Sequence, residues 1–412
     1  MPGAEPPLPR TARMPGAEAR LLRTAAIGIS TAPICGVRDH EQRLSRALRD
    51  ERCECSTHWL DRHDASFAGA RAEVGAWVGQ LPAGLAASRA EVALVHYSVF
   101  AFSYRGLPLF VRPVLGAVGR AGLPLVTILH EFVYPWGRDG PRGAAWAVSQ
   151  RALLVEVMRR SDAVLTTTDF QAEWLATRPW LPKRRIAVAP VFSNLPASNP
   201  PVYTQPAVAR TAAATPRPAA AGDPDGAATI GLFGYAAYGE QTAALIAAAL
   251  RRVQDRGLEA RLLLLGAPGR DSAAAESWLT AARGAGLAQE PCFSGTLPPQ
   301  QLSDALAACE VLLFVDPIGP NSRKTTLAAS LASGRPVLAF DGPRRFGELA
   351  EAQAAEIVEP DAEAVAGALA DLLADARLRE RLGARGREFA ARSMSAERAA
   401  RTVAQLLREV AG

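Results

Sequence analysis

The 412-residue chain is short of several things, and each shortage closes a class of explanation. Five scattered cysteines cannot staple a small secreted scaffold, so a reducing compartment is expected. No apolar run is long enough to span a bilayer, because the most apolar stretch, 107–129, is broken by Pro108, Arg112, Pro113, Arg120 and Pro124. Residues 1–22 have Arg and Pro but no continuous apolar segment of a secretory signal, and read as a disordered tail. The pentapeptide MPGAE occurs at Met1 and again at Met14, so Met14 is an alternative start. Lysine is nearly absent, with Lys183 and Lys324 standing among 46 basic residues, which fits a GC-rich coding sequence. The G-x-G-x-x-G, Walker and G-x-S-x-G motifs are missing, which argues against a nicotinamide oxidoreductase, a P-loop ATPase or a serine hydrolase.

What is present describes a folded protein of two to three domains. Hydrophobic residues make up 49% and charged residues 21%, enough to build a core and to keep it in water. Residues 1–200 carry 24 Arg and Lys against 17 Asp and Glu, and the remainder carry 22 against 24. A basic first half suits an anionic membrane surface or an acidic ligand. The charges are interspersed, without aromatic-basic or recognition-helix patterns, so no nucleic-acid partner is expected.

From Thr24 onward, short apolar runs alternate with longer helical patterns, the mark of a mostly parallel α/β sheet. Strands are expected at 25–29, 92–96, 125–129, 163–167 and 186–189, with helices at 39–48, 67–80, 109–120 and 144–160. The Pro- and Ala-rich segment 197–227 lacks periodicity and reads as a linker. A second series follows, with strands at 229–233, 261–265, 292–294, 311–315, 336–340 and 356–358. The organisation is thus a tail (1–22), a doubly wound domain (23–196), a linker (197–227), a second such domain (228–392) and a terminal helix (393–412) that could cross back to the first. Ligands of open parallel sheets sit beyond the carboxyl ends of the strands, so two facing sheets make a cleft with a site on each wall.

Several motifs follow those strands in order. They are Pro33-Ile-Cys-Gly-Val-Arg-Asp-His40, His130-Glu131, Ser161 to Asp169 and Val191-Phe-Ser-Asn194 in the first half. In the second half they are Leu232-Phe-Gly-Tyr235, Leu264-Leu-Gly266, Phe293-Ser-Gly-Thr-Leu-Pro298 and the long run from Gly319 to Val337. Together they resemble a glycosyltransferase of the two-Rossmann GT-B architecture, closest to the retaining group 1, or family 4, enzymes. The resemblance covers about residues 24–405 and rests on order and spacing more than on any single motif.

It implies transfer of a sugar from a nucleotide-diphosphate donor, UDP- or GDP-linked, to a glycan, a lipid-linked or a small-molecule acceptor. It implies no metal and no cofactor beyond the donor, a cytoplasmic location, and peripheral contact with the inner face of the membrane if the acceptor is lipid-linked. On it, His130 contacts the donor sugar, and Gly36, Gly234, Tyr235, Gly266, Gly295 and Leu297 line the donor site. Gly36, just after the first strand, also allows close approach of backbone N–H groups to an anionic or polyhydroxy ligand. Asn321-Ser-Arg-Lys-Thr-Thr326 precedes a helix and offers Arg323 and Lys324, three hydroxyls and free backbone N–H groups, which suits a diphosphate. By motif position, Asp39, His40 and Glu131 are the acceptor-side candidates for a base.

The chain departs from the family pattern in two places. The two glutamates that grip the donor sugar and the ribose fall on Asn321 and Ala329, and the cations after the second domain's first strand are missing from Gly234 to Glu240. Arg323 and Lys324 are read as their replacement at the diphosphate. The departures also motivate an alternative, a scaffold that has lost turnover and serves as a binding or partner subunit. Cys53, Cys55, His58 and His63 have a metal-like inventory, but the two cysteines fall in a strand and read as core residues. Trp136 and Trp174 could line an acceptor groove or simply pack.

Overall fold

The computed structural model describes residues 20–31, 35–198 and 227–412. Most of the expected tail, the linker, and Pro33 and Ile34 of the first loop lie outside the described residues.

The first unit runs β1 (Leu22–Ser30), α1 (Gly36–Asp50), β2 (Cys53–Asp61), α2 (Phe67–Ala87), β3 (Val92–Ser98), α3 (Val111–Arg120), β4 (Leu125–Glu131), α4 (Gly140–Arg160), β5 (Ala163–Thr166), α5 (Asp169–Thr177) and β6 (Arg185–Val188). All pairings are parallel, in the order β2-β1-β3-β4-β5-β6. The second unit runs β7 (Ala228–Phe233), α6 (Glu240–Asp255), β8 (Ala260–Leu265), α7 (Ala273–Ala285), β9 (Cys292–Phe293), α8 (Pro299–Ala307), β10 (Val311–Phe314), α9 (Thr325–Ala332), β11 (Val337–Phe340), α10 (Gly347–Glu351), β12 (Glu356–Val358), α11 (Ala362–Ala374) and α12 (Ala376–Ser393). Its sheet is also parallel, in the order β12-β11-β10-β7-β8-β9. The α/β class and the two Rossmann-like units expected from the alternation are what the chain forms.

Parallel strands are covered on both faces by their crossover helices, and they read as continuous apolar runs for that reason. In β3 every residue is buried, and in β10 and β11 likewise. Such a strand leaves little place for a polar side chain, which makes His96 in the middle of β3 conspicuous.

The last helix, α13 (Ala396–Ala411), begins at Ser395, whose side chain accepts a hydrogen bond from the Arg398 N–H. Its apolar face, with Ala400, Val403 and Leu407, joins Leu44, Leu48, Val92 and Leu94 in the core of the first unit. Arg185 and Glu409 add an ion pair at 2.8 Å, and the Arg408 guanidinium donates to the Glu51 carbonyl. Helix α13 therefore packs on the first unit.

The helix expected at 109–120 is α3, and its apolar residues Val111, Val114, Leu115 and Val118 face inward. It is a core helix. No helix among the described residues is long and apolar enough to cross a membrane.

Candidate functional site

On the first wall, β3 and β4 end side by side. His96 is registered with Ile128, so His130, two residues further along β4, projects from the same face. His96 Nδ1 lies 3.3 Å from His130 Nε2, with the rings stacked at 5.5 Å. α1 brings His40 against them, its ring centroid 5.1 Å from that of His130 and 6.0 Å from that of His96. The outer face of His40 is covered by Phe192, stacked at 4.7 Å. Gly28 makes room beside this group: it is registered with Trp59, and a Cβ there would collide with the indole, which lies 6.0 Å from His96.

All three histidines are buried, and burial pushes their basicity down, that of His40 to about 4 and those of His96 and His130 well below the usual range. They are neutral imidazoles at pH 7. His40 Nδ1 is buried without a hydrogen-bond partner. The neighbouring acceptor-side candidates, Asp39 and Glu131, are exposed, and Gly36 opens α1 with no protein atom within 4 Å of where its Cβ would be.

The second wall is organised by α9. Lys324 occupies its N-cap without a side-chain cap, and the first intrahelical bond runs from the Ala328 N–H to the Lys324 carbonyl at 3.1 Å. The N–H groups of Thr325, Thr326 and Leu327 are thus left for an incoming acceptor. Lys324 Nζ pairs with the buried Asp316 at 2.8 Å, and Arg323, half-buried, has no ionic partner among the described residues. The loop after β7 approaches the same point, since a Cβ on Gly234, which has φ +77°, would lie 3.0 Å from the Thr326 methyl.

The other expected donor residues make the following contacts. The Tyr235 hydroxyl is buried, donating to the Gly269 carbonyl (3.1 Å) and accepting from the Gly269 N–H (2.9 Å), so it holds the loop after β8. Gly266 and Gly295, both with positive φ, bridge these neighbouring loops, and Leu297 packs against the core. Asn321 is turned into its own loop, donating to the Gly319 carbonyl and accepting from the Arg323 N–H. Ser322 donates to the Thr167 carbonyl of the first unit at 2.7 Å. Ala329 is a core residue of α9.

The two walls meet here. The Val191 N–H donates to the Ser322 carbonyl at 2.9 Å, and Arg344 lies over the Phe170 ring at 4.5 Å. His96 is the member of this constellation that motif reading did not single out. Its signal was a histidine directly following the apolar run Val92-Ala-Leu-Val95 in a fully buried strand.

The metal-like set at the first unit's edge does not assemble. Cys53 is buried and Cys55 half-buried, with the Cys55 thiol pushed up to about 12 by burial, His58 contacts Ser56, and His63 is exposed. Trp136 is exposed, while Trp174 packs with Phe132 and Trp180. A concavity of about 670 Å³ lies at the amino ends of β4, β5 and β6, the wrong end of a parallel sheet for a ligand, and is lined partly by α13.

Residues 227–375 match the family of glycosyl transferases group 1. No curated protein sequence matches the chain. Among solved structures, sucrose-phosphate synthase from Thermosynechococcus elongatus is similar with a TM-score of 0.64 at 16% identity, over 94% of this chain and 99% of that one. A glycosyltransferase from Rickettsia africae gives 0.65 at 12% identity, over 94% and 98%. Anabaena HepE, solved in complex with UDP-glucose, gives 0.62 at 12% identity, over 93% and 99%. At these identities the likeness is one of fold.

Proposed function

Because the chain has the GT-B fold and residues 227–375 match the group 1 glycosyltransferases, we propose that it is a glycosyltransferase using a nucleotide-diphosphate sugar. The observation that carries this reading is the uncapped start of α9, with Lys324 at its N-cap, Arg323 next to it in sequence and the Gly234 loop beside Thr326. A diphosphate placed there meets two cations and unpaired N–H groups aligned with the helix dipole. As the bond from sugar to diphosphate breaks, negative charge grows on the leaving group, and the helix N–H groups oppose it in place, while Lys324 does so by exchanging Asp316 for the phosphate. The stabilisation comes from the protein, so no metal at the diphosphate and no further cofactor belong to the proposal.

His130 is assigned to the donor sugar, and retention by front-face attack is part of the reading. Of the base candidates, Asp39 and Glu131 are exposed, Glu131 at the end of β4 beside His130, whereas His40 is buried. UDP- and GDP-hexoses are the proposed donors; the HepE structure in complex with UDP-glucose supports the former.

A glycan or lipid-linked acceptor is supported by an aromatic and basic surface on the first unit. Phe100, Tyr134 and Trp146 pack edge to face, Arg142 lies over Trp146, and Arg151 lies over the exposed Trp136. Leu107 and Leu109 are exposed nearby in sequence. Such a surface fits a cytoplasmic protein that rests on the inner face of the membrane.

A second reading, a scaffold without turnover, is favoured by one observation: Asn321 faces its own loop and Ala329 is core, so neither grips a sugar. A thermal-shift panel of UDP-, GDP-, dTDP- and ADP-sugars, followed by an assay of donor hydrolysis, separates the two. A stabilising shift with one nucleotide class that disappears in Lys324→Ala, together with turnover, supports the transferase. Binding without turnover under any acceptor supports the scaffold, and no binding by any donor sinks the transferase reading and its placement of the diphosphate at α9.

A further inference from the structure

We propose that His40, His96 and His130 form a binding site for one divalent transition-metal ion of the zinc class. One ring nitrogen of each histidine lies within 4.8 Å of the others, and no other such group of ligating side chains occurs among the described residues. Zinc binds imidazole nitrogen at about 2.0–2.1 Å, and tetrahedral angles then set the nitrogens about 3.3–3.4 Å apart. The contact between His96 Nδ1 and His130 Nε2 is already 3.3 Å. Bringing the His40 nitrogen to the same separation takes a movement on the order of 1 Å, within reach of a ring rotation.

Two independent features separate this cluster from ordinary packing. His40 is buried and its Nδ1 has no hydrogen-bond partner, although an orphaned buried polar atom costs about 1–3 kcal/mol. The three rings also come from three elements, α1, β3 and β4, whose register holds them on one face. Softer thiolates are absent from the cluster, and nitrogen donors alone suit zinc, cobalt, nickel or copper better than calcium or magnesium.

Three protein ligands leave the fourth position of a tetrahedral ion to water or to a hydroxyl from the cleft. The site is on the first wall, apart from the α9 cations, so it does not depend on the transferase reading. A nitrogen of His130 given to the metal is not free for the donor sugar, and the two uses of that nitrogen are alternatives.

The test uses the full chain, stripped with a chelator and dialysed. Zinc is titrated back with elemental analysis of the bound metal, and Co²⁺ serves as the spectroscopic probe. One equivalent of zinc per chain and the intense visible absorption of four-coordinate cobalt, without thiolate charge-transfer bands, are expected. Affinity should fall by at least about 100-fold in both His96→Gln and His40→Gln, checked for folding by circular dichroism, and stay unchanged in the exposed His63→Gln. If one variant fails to fold, the other carries the comparison. Less than a tenth of an equivalent bound, undiminished affinity in the folded variants, or thiolate bands pointing to Cys53 and Cys55 would each overturn the site. Nucleotide-sugar shifts measured on the stripped protein report the transferase reading separately.

Discussion

The Ser322 hydroxyl donates a 2.7 Å hydrogen bond to the carbonyl of Thr167, joining the loop before α9 to the end of β5 in the other domain. The Ser322 carbonyl accepts from the Val191 N–H at 2.9 Å, so one residue closes the contact from both directions. Ser322→Ala leaves the buried Thr167 carbonyl without this donor. A loss of about 1–2 kcal/mol in chemical denaturation is expected. An unchanged midpoint would show that the contact opens freely in solution.

Lys324 is neutralised locally by Asp316 at 2.8 Å. Asp316→Asn removes the competing carboxylate and should tighten binding of a nucleoside diphosphate several-fold, since a partly exposed ion pair is worth roughly 1 kcal/mol. Lys324→Ala should weaken the same binding. Calorimetry on both variants checks the signs, and the same sign for both would refute the placement of the diphosphate.

Two glycines give opposite expectations. A Cβ on Gly342 would collide with the backbone at Ile318 and Gly319, which shapes the loop leading to Asn321. Gly342→Ala should therefore cost a few kcal/mol, roughly the range of an overpacked core. Gly36 meets nothing within 4 Å, so Gly36→Ala should leave the melting temperature nearly unchanged. If a ligand does approach the start of α1, Gly36→Ala should still lower donor affinity, and equal affinity would remove Gly36 from the site.

Glu41 is buried beneath α1, accepting from Ser45 and Thr57 while its Oε2 has no partner. Burial raises its carboxyl above the usual value, with those two hydrogen bonds and Arg38 opposing. The folded state therefore holds the proton more tightly than the unfolded state, and stability falls as pH rises through the raised value. Glu41→Gln should flatten that fall and stabilise the protein at pH 7–8 by about 1 kcal/mol. Melting curves across pH 4–8 read the difference, and a parallel decline in the variant would assign it elsewhere.

Trp136 is 56% exposed at the aromatic and basic surface. Trp136→Ala combined with Arg142→Ala should reduce sedimentation with vesicles containing anionic lipid about tenfold or more, while leaving donor shifts intact. Equal sedimentation would dissociate this surface from membranes.

The strand positions and the two-unit architecture were legible because fully buried parallel strands impose apolar runs, as in Val92-Ala-Leu-Val95 and Val311-Leu-Leu-Phe314, whereas the order of the strands in each sheet was not. The step at Ser395 was legible as well, since an N-cap needs a short polar side chain at one position. The orientation of α3 was only partly legible: its mixed Arg and apolar pattern favours a core helix over a membrane surface, and its neighbours turn Val114 and Leu115 inward.

By itself the sequence determined which segments become strands and helices and which motifs follow strand ends, because periodicity and capping are local properties of the chain. The tertiary structure decided what those motifs face. It turned Asn321 and Ser322 into loop and domain contacts, left Arg323 without an ionic partner among the described residues, and set Asp316 on Lys324. It also gathered His40, His96 and His130, far apart in sequence, through crossover connections that no local pattern encodes.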